Sequence, residues 1–225
     1  MKIGILQAGH FLLAEEGGNP DNDALFHRLL GGYGFDFETW NVVDMEFPAS
    51  PRDADGWLIT GSKHGAYDEL AFIAPLEEFI RASFAEDVPI VGICFGHQVI
   101  AQAMGGKVVQ FAGGWRAGRE IYDFNGEEIA LTAWHQDQVV ELPHGAEVIA
   151  RSEYCENAAM LYDRKALTIQ AHPEYGRAEL SGLIDIRGRH MPPAPVAHAA
   201  ANIDAPVSSE AIADRIAAFF KRANG

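Results

Sequence analysis

The segment Val88-Pro-Ile-Val-Gly-Ile-Cys-Phe-Gly-His-Gln98 decides the reading of this chain. An apolar run of strand length, Pro89 to Ile93, meets Cys94 between two glycines and continues into a helical pattern. A buried strand that enters a helix across a glycine-flanked nucleophile is the strand-turn-helix elbow, here with Cys in place of Ser. Glycines give the backbone room for a sharp, strained turn. The following helix directs its positive end and free N–H groups at the sulfur, which favours thiolate. Taken alone, Gly-x-Cys-x-Gly reads equally well as an ordinary buried cysteine, since cysteine is among the most buried residue types.

A base changes that balance. The run Ala166-Leu-Thr-Ile-Gln-Ala-His172-Pro-Glu174-Tyr175 ends a second apolar strand. His172 can take the thiol proton and return it to a leaving amine, while Glu174 can hold the imidazole in the required tautomer. Residues i and i+2 of an extended chain point to one side. Pro173 cannot donate to a ladder, so it marks a strand end, where the active sites of open α/β sheets gather.

Outward from these two segments, further strand-length runs occur at Ile3 to Leu6 and Trp57 to Ile59, each leading into a glycine-bearing turn. Helical spacing at Asp23 to Leu30 and Phe72 to Phe84 completes βαβ units around a buried parallel sheet. From Lys107 to Gln170 the rhythm shortens. Strand candidates Lys107 to Phe111, Glu120 to Phe124, Ile129 to Ala133, Val148 to Ala150 and Leu167 to Gln170 are separated by Gly, Asn, Asp and Pro, which predicts an antiparallel excursion. Met191 to Ala205 reads as a flexible Pro- and Ala-rich piece, and Ser208 to Arg222 as a final helix with Ser208 or Ser209 as N-cap. The expectation is one α/β domain over residues 1–225, a three-layer sandwich with a mainly parallel central sheet and a helical tail from about 176.

Composition excludes several classes of function. The 225 residues carry 32 acidic against 17 basic side chains, a net charge of −15. Binding of a polyanion needs clustered Lys and Arg, so nucleic acid and anionic membrane are not expected partners. No stretch approaches the roughly 20 apolar residues of a membrane span. Two cysteines, Cys94 and Cys155, make no disulfide framework, and the first residues read as a strand and not as a signal peptide, so the expected location is the cytoplasm.

Other features read blandly. Cys155 lacks flanking glycines and a histidine partner, so it is a structural cysteine. His64, His97, His135 and His172 lie in separate segments without an i,i+4 ligand pair, so neither a metal nor another cofactor is expected. His10, His27, His144, His190 and His198 read as surface or core-edge histidines. Gly17-Gly18-Asn19-Pro20 lacks phosphate-loop spacing and reads as a turn. Gly113-Gly114-Trp115-Arg116 reads as a mobile loop near the site.

The segments GICFGHQ and QAHPE together resemble the class I (triad) glutamine amidotransferase family. The resemblance extends through the first strand, the Ile59-Thr-Gly-Ser62 turn, the elbow, Trp134-His-Gln-Asp-Gln-Val139 and the H-P-E run, in the family's order. It leans toward the stand-alone GMP synthase-like amidotransferases and the related γ-glutamyl peptidases. It implies a flavodoxin-like fold, Cys94 as nucleophile, His172 as general base and acid, and Glu174 as orienting carboxylate. It also implies an oxyanion hole from the backbone of Phe95 and the Gly61-Ser62 turn, with Gln98 and Trp134-His135-Gln136 contacting the substrate.

Two departures bear on the substrate. The family's paired glycines read Gly61-Ser62, and its Ser-His-Gly-Asp reads Trp134-His135-Gln136-Asp137. The implied reaction cleaves the γ-amide of glutamine or of another γ-glutamyl compound through a cysteinyl thioester. The implied partners are that small molecule and, in an amidotransferase, a synthetase that receives the ammonia. A self-sufficient γ-glutamyl peptidase and a non-catalytic partner-binding module are the competing expectations.

Overall fold

A computed structural model describes residues 1–15 and 20–223. In chain order, the first half contains β1 (Lys2–Leu6), α1 (Leu12–Glu15), α2 (Asn22–Leu30), β2 (Asp36–Trp40), β3 (Gly56–Ile59), α3 (Ile73–Ala85), β4 (Ile90–Ile93) and α4 (Phe95–Ala103). The second half contains β5 (Lys107–Gln110), β6 (Arg116–Phe124), β7 (Glu127–His135), β8 (Asp137–Glu141), β9 (Glu147–Ala150), β10 (Ala159–Tyr162), β11 (Ala166–Ile169), α5 (Arg177–Arg187), α6 (Pro193–Ala201) and α7 (Ser209–Ala223).

Seven strands form the central sheet in the order β2-β1-β3-β4-β11-β10-β9, with β10 antiparallel to both its neighbours in an otherwise parallel sheet. Successive side chains of a strand point to opposite faces. Accordingly Ile3, Ile5, Leu58, Val91 and Ile93 join the core under α2 and α7, while Leu6, Trp57, Ile59 and Ile90 join the core under α3 and α4. Continuous apolar runs are what a sheet covered on both faces requires. The fold is therefore the expected three-layer α/β sandwich.

The antiparallel excursion consists of the β6–β7 hairpin and the β5–β8 pair. Two strand candidates lie in the main sheet instead: Val148 to Ala150 falls in β9 at its edge, and the last, around Leu167, returns beside β4. That return has a consequence for the site. With Ile93 level with Ile169, the chain leaves β4 at Cys94 and leaves β11 at Gln170 side by side, and the Cys94 N–H donates to the Ile169 carbonyl at 2.9 Å.

The Pro- and Ala-rich piece expected to be flexible is a helix. Pro193 occupies the first position of α6, where a fixed φ and a missing N–H cost nothing, and Ala199 is fully buried against Gly118 of β6. The predicted turn at Gly17-Gly18-Asn19 lies outside the described residues. Among the described residues no helix is long and apolar enough to cross a membrane.

Candidate active site

The loops that follow β1, β3, β4 and β11 at their carboxyl ends meet over a cavity of about 310 Å³, a ligand-sized volume. Cys94 lines it, with φ 53° and ψ −101°, in the left-handed half of conformational space. A non-glycine residue held there costs on the order of 1–3 kcal/mol and persists only where its surroundings impose it. The flanking glycines serve differently from expectation, because neither has positive φ. They permit close approach instead: a Cβ on Gly92 would lie 2.5 Å from the Gly96 carbonyl oxygen, and one on Gly96 would lie 2.4 Å from that of Ile59. The strain falls on the cysteine itself.

His172 reaches the same place from β11. Its N–H donates to the Thr132 carbonyl at 2.8 Å, and its ring stacks on Tyr175 with centroids 4.0 Å apart and 3° between planes. The Nδ1 atom lies 2.7 Å from Glu174 Oε1, and both side chains are almost wholly buried. This contact arises in a turn, closed by the Tyr175 N–H on the His172 carbonyl, and not on extended chain as the i, i+2 spacing suggests. Pro173 turns the backbone, and the turn still brings both side chains together. Burial by itself would lower the His172 pKa, but the neighbouring Cys94 and Glu174 raise it to about 10. The imidazolium form is thus the one the surroundings favour.

Phe95 opens α4, so its N–H has no intrahelical acceptor. Gly61 lies against both groups: a Cβ there would be 3.0 Å from His172 Cε1 and 3.9 Å from Cys94 Cβ. Ser62 is not among the residues with positive φ, so a side chain at this position costs the turn nothing. The Gln98 amide donates to the Asp137 carbonyl at 2.8 Å and to Gln170 Oε1 at 3.1 Å. Trp134, His135 and Gln136 sit where β7 passes into β8 and line the cavity. His135 is buried with neither ring nitrogen hydrogen-bonded among the described residues. Burial, reinforced by His172, lowers its pKa to about 3, leaving a neutral imidazole. The Gln136 side-chain amide donates to the Phe111 carbonyl at 3.4 Å.

Several residues in or behind the cavity wall carry no sequence signal of their role. The Gln170 side-chain amide donates to Cys94 Sγ at 3.7 Å, and Tyr175 supports the His172 ring. His10, which reads as a surface histidine, lines the cavity and bridges Asp21 at 2.7 Å and Asp44 at 2.9 Å. Trp115 from the glycine-rich loop lines it too, whereas Arg116 stacks over Tyr154. Only the position of Tyr175 directly after the H-P-E run could have suggested a part in the site. No group of three or more His, Cys, Asp or Glu among the described residues is placed to hold a metal ion.

Residues 36–181 match the model of the family described as glutamine amidotransferase class-I. γ-Glutamyl peptidase 4 of Arabidopsis thaliana is 34% identical over 189 residues, spanning 74% of this chain and 74% of that protein. One component of the glutamine-hydrolysing GMP synthase of Archaeoglobus fulgidus is 31% identical over 160 residues, spanning 67% of this chain and 81% of that protein. A glutamine amidotransferase structure from Methylobacillus flagellatus superposes with a TM-score of 0.77 at 25% identity, over 99% of this chain and 92% of that one. On the family match and these relatives, the chain belongs to the class I glutamine amidotransferases.

Proposed function

We propose that the chain is a cysteine hydrolase that cleaves a γ-glutamyl amide through a γ-glutamyl thioester, with Cys94, His172 and Glu174 as its triad. The observation that carries this reading is the buried 2.7 Å His172–Glu174 pair beside a cysteine held at positive φ at the head of a helix. Cys94 Sγ attacks the γ-carbonyl carbon, and the oxyanion is held by the Phe95 N–H and the Gly61-Ser62 turn. The C–N bond then breaks as His172 gives its proton to the departing ammonia or amine. Water, deprotonated by His172, next attacks the thioester, and glutamate leaves with the thiol restored. Glu174 holds the tautomer throughout. Gln98, Trp134 and His135 line the cavity around the glutamyl group, His135 as a buried, neutral imidazole.

A single amidotransferase domain over residues 1–225, helical from about 176, carries this activity in the cytoplasm. Two destinations of the amine follow. A stand-alone amidotransferase would hand ammonia to a synthetase partner, and a γ-glutamyl peptidase would release an amine without one. The γ-glutamyl peptidase relative favours the second. Incubating the purified protein with glutamine and a panel of γ-glutamyl peptides tests both. An electrophilic glutamine analogue should add one mass increment at Cys94. Failure to modify Cys94 together with no glutamate release from any substrate would sink the reading in favour of a non-catalytic binding module.

A further inference from the structure

The cavity has two flanks that meet at Cys94. On one lie Gln98 and the His135–Asp137 stretch, and on the other lie Phe11, Tyr175, Leu183 and Arg187, with Trp134 packed against the apolar cluster of that second flank. The second flank grows out of His172. Its ring stacks on Tyr175, Tyr175 meets Phe11 at 5.4 Å between centroids, and both share an apolar cluster with Leu183. Arg187 follows Leu183 by one helical turn on α5 and lines the same cavity. In the hydrolysis proposed above, the amine must depart on the side from which His172 can protonate it. The leaving group therefore lies along this second wall, which ends at a guanidinium.

Charge sharpens the point. The carboxylates that line the cavity are both engaged: Asp68 accepts the Gly65 N–H at 2.8 Å and Asp137 accepts the Tyr67 hydroxyl at 3.0 Å. His10 is held between Asp21 and Asp44. Arg187 is half-buried and, among the described residues, forms no ion pair or hydrogen bond, in a protein whose net charge is −15. A partly desolvated guanidinium presents a fixed fork of donors suited to a carboxylate.

We propose that Arg187 binds a carboxylate carried by the leaving amine, so that the favoured substrates are γ-glutamyl amino acids and peptides and not glutamine. This assignment rests on the hydrolase reading above.

Glutamate release from γ-glutamylglycine, from its C-terminal amide and from glutamine would be measured for the wild type, Arg187→Gln and Arg187→Lys. The wild type should prefer the acid over its amide by roughly tenfold or more in kcat/KM. Arg187→Gln should bring that ratio near one, chiefly through KM, and Arg187→Lys should restore part of it. Equal turnover of acid and amide by the wild type overturns the assignment while leaving hydrolysis intact. So does a ratio unchanged by Arg187→Gln, the result expected if Arg187 only complements the carboxyl end of α5. Labelling of Cys94 without any release also overturns it, because a carboxylate-reading peptidase needs no partner. No release with Cys94 unlabelled overturns the hydrolase reading itself.

Discussion

Cys94 and Cys155 are both buried, at 6% and 2% exposure, and both pack in the same core cluster, yet their surroundings ask opposite things of the sulfur. Cys94 sits at a positive φ at the head of α4, with a donor from Gln170 at 3.7 Å and His172 beside it. Cys155 sits in a turn where its N–H donates to Ser152 Oγ at 3.0 Å, and burial pushes its thiol pKa up to about 12. Burial therefore does not distinguish a nucleophile from a packing atom. What differs is whether a cation accompanies the buried sulfur, and His172 is supplied by a second strand end in register with that of Cys94.

The largest test of this contrast removes the proposed nucleophile. Cys94→Ala should lower kcat/KM for the preferred γ-glutamyl substrate by roughly 10⁴-fold or more, since loss of a triad nucleophile leaves only binding and oxyanion stabilisation. Alkylation followed by peptide mapping sharpens the comparison. The folded wild type should label at Cys94 and not at Cys155, and in denaturant both should label. A folded protein that labels first at Cys155 would break the contrast.

The next effect is on the base and its orienter. His172→Gln should cost roughly 10³-fold in kcat, in the range expected for a general acid and base. Glu174→Gln should cost somewhat less, because His172 keeps its stacking on Tyr175 and its backbone anchor on Thr132. If Glu174→Gln leaves kcat untouched, the 2.7 Å contact is only structural. Smaller again is Gly61→Ala. Its new Cβ would lie 3.0 Å from Cε1 of an imidazole fixed on two sides, so the ring must shift by tenths of an ångström. A loss of roughly tenfold in kcat with little change in melting temperature is expected, because misplacement of a catalytic group acts on rate before stability.

How much of this is legible in the sequence depends on whether the signal is local. The parallel strands stand out as apolar runs between glycine turns, and the segments bearing Cys94, His172 and Glu174 as short motifs. Strand β2, Asp-Phe-Glu-Thr-Trp, gives no such signal because it is an edge strand with exposed acidic positions, and β10, Ala-Met-Leu-Tyr, gives none because it holds no β-branched residue. Helix α5 is faint since it buries little beyond Glu179, Leu180 and Leu183. Helix α6 reads as a flexible piece because prolines at 193 and 195 look like breakers when they occupy a first turn. One wall of the cavity is not legible at all. Phe11, Tyr175, Leu183 and Arg187 come together only after β1, β11 and α5 have docked, and no spacing in sequence encodes that meeting.

The smallest expected effect belongs to Cys155, and it carries a pH signature. Cys155→Ala should leave kcat unchanged and cost about 1 kcal/mol at pH 7, an ordinary figure for trimming a buried side chain. Its thiol ionises near 12 in the fold against an ordinary value of 9.0, because burial penalises the thiolate. Above about pH 9 the unfolded chain therefore releases a proton that the folded chain retains, which favours unfolding. The contribution of a raised pKa is complete below the unfolded value and is lost as pH rises through the folded one, at about 1.4 kcal/mol per pH unit in between. By about pH 10 this loss should offset the packing that Cys155 provides. Denaturant melts of wild type and Cys155→Ala at about pH 7 and about pH 10 should then converge. A stability difference that holds constant across that interval would mean that Cys155 ionises normally, and would remove the main distinction drawn between the two cysteines.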